Sequence, residues 1–111
     1  MVKVSFRQDD KTLHFMCVGH AEYAKDGEPD IVCAAVSALS VTLCNALAHC
    51  SGFCCNVEAG DVQMTCRKTG EAQTIFHAIM IGFRGLVFMY PDHVSIDTRE
   101  RPLRGEPYVQ I

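Results

Sequence analysis

The chain has 111 residues, 49% apolar and 21% charged, with a formal net charge of −3. That length suits one domain spanning 1–111, and the composition is that of an ordinary globular protein. The acidic balance argues against direct nucleic-acid binding, which wants a basic face, and leaves room for a basic peptide or protein.

The N-terminus, MVKVSFRQDDK, has no apolar core of the kind a signal peptide carries, so none is expected. Seven cysteines, an odd number, then fit free thiols in a reducing cytoplasm. Residues 2–7, VKVSFR, alternate apolar and polar as a half-buried strand does. QDDK is a turn, and 12–18, TLHFMCV, is the second strand of a hairpin ending at Gly19 and His20. Residues 21–29 form a polar loop punctuated by Asp26-Gly27 and Pro29.

Asp30 reads as a helix N-cap. The helix should run from Ile31 to about His49, with Val32, Val36, Leu39, Leu43 and Leu47 as its apolar stripe. Its uncharged stretch 31–48 approaches the length of a membrane span. However, Ser37, Ser40, Thr42 and Asn45 recur along it and no basic cluster flanks it, so a buried helix is the reading and no membrane is expected.

Ser51-Gly52 closes that helix. Residues 54–59 and 62–67 form a second hairpin around Gly60-Asp61. A second helix is expected over 71–90, with Ile75, Ile79, Phe83, Leu86 and Tyr90 on its stripe and Phe76, Met80 and Val87 beside it. Gly82 and Gly85 weaken its middle or admit a close neighbour. Pro91-Asp92 ends it, 93–98 alternate as a fifth strand, and the tail RERPLRGEPYVQI has no period. The order ββαββαβ predicts an α+β fold: a mostly antiparallel sheet packed with two helices.

The chemistry concentrates where the polar loop meets the first helix. With Asp30 as cap, Cys33 is the third helical residue. First-turn N–H groups carry partial positive charge, which lowers a thiol's pKa and can receive an oxyanion. His20, at the end of the preceding strand, is the candidate base. The loop between them would bridge the two halves of a dyad and cover a substrate. The plainer reading makes Cys33 a buried filler and Gly19-His20 a turn. Asp30 could orient His20 as well as cap the helix. Ser37, one turn beyond Cys33, could touch substrate or bond back to a carbonyl.

The other six cysteines read as small apolar fillers. Adjacent Cys54 and Cys55 would point to opposite faces of a strand, and there is no CxxC pair, so neither a metal nor any other cofactor is expected. His14, His49, His77 and His93 read as surface or packing residues.

GHA, a short acidic glycine-containing loop and then DIVCAAVSAL together resemble the ribosomal-processing cysteine protease family, Prp. Length and element order agree over nearly the whole chain. The resemblance implies a homodimeric protease of the bacterial cytoplasm. Its substrate would be the N-terminal extension of large-subunit ribosomal protein twenty-seven. It makes Cys33 the nucleophile and His20 the base. Asp30 and Ser37 take supporting or substrate-binding roles, and Gly19 and Gly27 belong to the flanking loop. The family's loop varies in length and composition; here Pro29, just before Asp30, would stiffen the loop's exit and alter its closure. By charge alone, Glu22, Asp26 and Glu28 would suit a basic substrate. The competing reading is a non-catalytic ribosome-associated binding module; a zinc-stabilised interaction domain is a third.

Overall fold

The structure is a computed structural model that describes residues 1–98; the expectation for the tail lies outside the described residues. Five strands and two helices follow in the order β1 (Val2–Gln8), β2 (Thr12–Val18), α1 (Ile31–Leu47), β3 (Cys54–Glu58), β4 (Asp61–Arg67), α2 (Gly70–Met89) and β5 (Val94–Thr98). The expected ββαββαβ order is the observed one. The sheet order is β3-β4-β2-β1-β5, with every pairing antiparallel except β1–β5, which is parallel.

The alternation of the strands decides the layers. Val2, Val4 and Phe6 of β1, Leu13, Phe15 and Cys17 of β2, and Met64 and Cys66 of β4 all point to one face and are buried. Both helices cover that face and pack on each other. Phe6 sits at the centre of an aromatic group, with ring centroids 5.0 Å from both Phe15 and Phe76 and 5.7 Å from Phe83, in edge-to-face arrangements. On the opposite face Met16 and Val18 are exposed.

Several expectations move in detail. Helix α1 ends at Leu47, and its buried line includes Ser40 and Cys44, with Leu39 only half-buried. In α2 the buried line is Ala72, Phe76, Met80 and Phe83, while Ile75, Ile79 and Leu86 flank it. This helix is apolar nearly all round, so its pattern does not say which line meets the sheet. It is also the helix long and apolar enough to cross a membrane by length and composition, yet that buried line belongs to the core.

Cys17, Cys44 and Cys66 are buried as expected of fillers, Cys50 is half-buried, and Cys54 and Cys55 are exposed, because β3 is a sheet edge whose residues all face solvent. Among the described residues, no group of three His, Cys, Asp or Glu side chains could hold a metal ion.

The register gathers five strand ends in one place. Val18 pairs with Asp61, Glu58 with Asp61, Lys3 with Val18 and Val2 with Val94. The C-terminal ends of β2 and β3 therefore meet the N-terminal ends of β1, β4 and β5. The chain leaving β2 at this end supplies His20 and the loop into α1.

Candidate active site

Gly19 is the first residue of the site that only the backbone explains. Its φ is +104°, a conformation few residues other than glycine adopt, and a Cβ there would collide with the carbonyl oxygen of Met1. Its N–H donates to the Gly60 carbonyl at 2.9 Å, joining the end of β2 to the β3–β4 turn. The exposed His20 ring then lies over Gly60: a Cβ at Gly60 would stand 2.6 Å from His20 Nε2. The turn residue is thus a floor that accepts an imidazole because it has no side chain.

Asp30 caps α1 as expected, and it does more. Its Oδ1 accepts from the N–H groups of Val32 (3.0 Å) and Cys33 (2.9 Å), while Oδ2 accepts from those of Tyr23 (2.9 Å) and Ala24 (3.3 Å). One carboxylate ties the helix start to the loop. These bonds, the Cys33 N–H foremost, hold its carboxyl below the usual range. Two consequences correct the expectations. The Val32 and Cys33 amides are committed to the cap, so they are not idle donors waiting for an oxyanion. The loop's first half is pinned rather than a free cover.

Cys33 is half-buried on the first turn of α1. Its Sγ accepts a hydrogen bond from the Ala21 N–H at 3.3 Å. His20 and Cys33 face one cavity of about 280 Å³, also walled by Gly19, Ser37, Glu58 and Gly60. Among the described residues no hydrogen bond joins the two side chains. Asp30 and Gly27 do not wall the cavity. Gly27 has φ +81° in the exposed part of the loop, with open space where a Cβ would be.

A family profile described as cysteine protease Prp matches residues 1–95. The chain belongs to this family. It is a cysteine protease, as the first-turn thiol suggested. Among solved structures, SMU.848 from Streptococcus mutans is 30% identical, with a TM-score of 0.63 over 87% of this chain and 92% of that one. An essential ribosomal processing protease Prp from S. aureus, in complex with a covalently linked product peptide, is 22% identical with a TM-score of 0.71 over 87% of this chain and 98% of that one. The same S. aureus protease in complex with a substrate peptide is 20% identical, with a TM-score of 0.65 and the same coverage. At those two identities the likeness is one of fold. No curated protein sequence matches the chain.

The Prp-family cavity also holds residues that sequence reasoning did not assign. Val57, Glu58, Gly60 and Asp61 arrive from the β3–β4 hairpin. A tight turn is legible around Gly60, but nothing local says it would face His20. The acidic residues on the cavity wall are Glu58 and Asp61, whereas Glu22, Asp26 and Glu28 lie outside it. Cys17 shares the wall, and burial pushes its thiol up, with the Ser40 hydroxyl offsetting part of that. It is a poor nucleophile beside a better placed one.

Proposed function

We propose that this protein is the endopeptidase that removes the N-terminal extension of large-subunit ribosomal protein twenty-seven, in the bacterial cytoplasm, by a Cys33–His20 dyad. The observation that carries the reading is a half-buried Cys33 thiol on the same cavity as His20, with an amide N–H 3.3 Å from its sulfur. The S. aureus relative, which has this fold, has been crystallised with substrate and product peptides and is described as a ribosomal processing protease.

In this mechanism substrate enters the cavity and His20 takes the Cys33 proton. The thiolate attacks the scissile carbonyl, and the leaving amine departs with the proton from His20. Water then attacks the thioester, His20 again acting as base, and frees the extension peptide, the shortened protein having already left as the amine. Ser37 and the apolar Val57 lie on the wall where a peptide would run. Glu58 and Asp61 would face basic residues of the substrate more directly than the loop acids do. The enzyme would work as a homodimer. Ile81, Phe88 and Met89, exposed at positions i, i+7 and i+8 of α2, supply an apolar face for a second copy.

The test is cleavage of a synthetic peptide spanning the extension junction, read by mass spectrometry. Wild type should cut once, and Cys33→Ala and His20→Ala should bind the peptide and leave it intact. Cleavage by Cys33→Ala would remove the nucleophile assignment. Binding by wild type with no cleavage would favour the ribosome-associated binding module.

A further inference from the structure

We propose that His93 is a positioning residue for the nucleophile, acting through Ala21. This rests on Cys33 being the nucleophile and adds a part of the site that none of the motif residues contains. His93 stands just before β5, and its backbone is held on both sides: its N–H donates to Tyr90 O at 3.0 Å and its carbonyl accepts from Val2 N–H at 2.8 Å. Its side chain reaches across to the loop, where Nδ1 lies 2.8 Å from the Ala21 carbonyl oxygen. A carbonyl accepts only, so Nδ1 carries the proton, and it does so in either the neutral Nδ1–H tautomer or the imidazolium.

Ala21 is 1% exposed. Its carbonyl is clamped by His93 and its N–H touches Cys33 Sγ at 3.3 Å. The two bonds use opposite sides of one residue. The carbonyl and the N–H belong to the two peptide planes flanking one α-carbon, so holding the carbonyl restrains the short segment that aims the N–H at the sulfur. His20 is the residue bonded to that same N–H, so the clamp also fixes the backbone from which the base projects.

A second contact supports the same segment. The Tyr23 ring sits edge-on between Tyr90 and His93, 5.2 Å from each centroid. Asp30 holds the Tyr23 and Ala24 amides from the helix side. Residues 21–24 are therefore gripped from the start of α1 by a carboxylate and from the α2–β5 connection by the His93 imidazole and the Tyr90 ring.

The experiment is alkylation of Cys33 by iodoacetamide against pH, with mass spectrometry locating the label, in the full chain carrying His93→Leu, His93→Asn or His93→Gln. Asparagine can place an amide donor where Nδ1–H is, whereas glutamine carries its donor further out, where Nε2 is. A hydrogen bond to a thiolate shifts its formation by about tenfold. At pH 7, His93→Leu and His93→Gln should label Cys33 about tenfold more slowly, with the pH profile moved up by about one unit. His93→Asn should stay within about threefold of wild type. Peptide cleavage should fall in parallel, in kcat more than KM. Should the leucine variant fail to fold, judged by circular dichroism, the asparagine–glutamine pair alone decides. Profiles that superimpose for wild type and His93→Gln, or an asparagine variant as slow as the glutamine one, would overturn the proposal. The profile reports on the Cys33 thiol whether or not it cuts the peptide, so cleavage surviving Cys33→Ala would overturn the nucleophile assignment separately.

Discussion

Cys33 and Ala72 hold the same place in their helices. Each is the third residue after an N-cap, Asp30 in one case and Thr69 in the other, and each donates its N–H to that cap, at 2.9 and 3.1 Å. Yet Cys33 is half-buried on a cavity, while Ala72 is fully buried in the core. Helix termini alike in partial charge therefore differ in function. What separates them is the sheet. The start of α1 lies where five strand ends bring His20, Gly60 and His93 within reach. The start of α2 follows β4 at the other end of that strand, where its neighbours are core residues and an exposed Glu71–His49 pair. A helix N-terminus becomes a site only when the rest of the fold leaves it open and aims donors and acceptors at it.

The strongest way to break the comparison is to move the thiol. In a protein carrying both Cys33→Ala and Ala72→Cys, the new cysteine has the helix position but no cavity. It should be alkylated more slowly than Cys33 in wild type by at least about a hundredfold, and peptide cleavage should fall by a factor on the order of 10⁴ or more. The added sulfur would also cost about 1–3 kcal/mol by overpacking. Fast labelling of the relocated thiol would mean that the helix end alone activates a cysteine.

The floor under His20 offers a cleaner contrast, because the fold holds a matched control. Gly60 and Gly52 have φ of +73° and +68°, so alanine strains the backbone equally at both. At Gly52 the new Cβ would find Arg67 N at an ordinary 3.6 Å, but at Gly60 it would press on the imidazole. Gly60→Ala should lower kcat by about ten- to a hundredfold, the scale of a base displaced by about an ångström. Gly52→Ala should lose a similar amount of stability and keep its turnover. Equal kcat in the two variants would mean that Gly60 serves only the turn.

The caps come next. Thr69→Ala should cost about 1 kcal/mol, or roughly 4–8 °C in Tm, with cleavage unchanged. Asp30→Ala should lower both Tm and cleavage, because the same carboxylate holds Tyr23 and Ala24. The two deficits also differ with pH. The native Asp30 carboxyl is held below its unfolded value, so its contribution is complete above the ordinary carboxylate range and is lost as pH falls through the lowered value. The Asp30→Ala deficit should therefore shrink below about pH 4, while that of Thr69→Ala stays constant, since threonine does not titrate. Melting curves at pH 7 and pH 3 decide it.

Much of this is readable from the amino-acid sequence alone, for reasons that are local. Alternation in VKVSFR and HVSIDT, turn residues at Gly60 and Pro91, and an acid before a long apolar run each fix an element through the few residues around it. The spacing of His20 and Cys33 across a loop is local too. The β3–β4 turn and His93 are not readable as parts of the site. Each reaches it by strand pairing between distant segments, β4 beside β2 and β5 parallel to β1, and no short pattern encodes which strands become neighbours. His93 looks like a surface or packing residue in sequence because its partner, the Ala21 carbonyl, is 72 residues away and belongs to the backbone.

The same limit governs the smallest effect. Gly82 and Gly85 look equivalent in sequence, and either would admit a close neighbour. Only Gly82 does so among the described residues: its Cβ would stand 2.9 Å from Leu39 Cδ2, where α1 crosses, while a Cβ at Gly85 would meet nothing within 4 Å. Gly85→Ala should therefore add the full helix preference of alanine, about 0.8–1 kcal/mol. Gly82→Ala should gain less, because Leu39 must turn aside to make room. Urea denaturation of the two variants measures the difference. A gain at Gly82 equal to that at Gly85 would show that the helices have slack at their crossing, and that α2 can shift without disturbing the helix that carries Cys33.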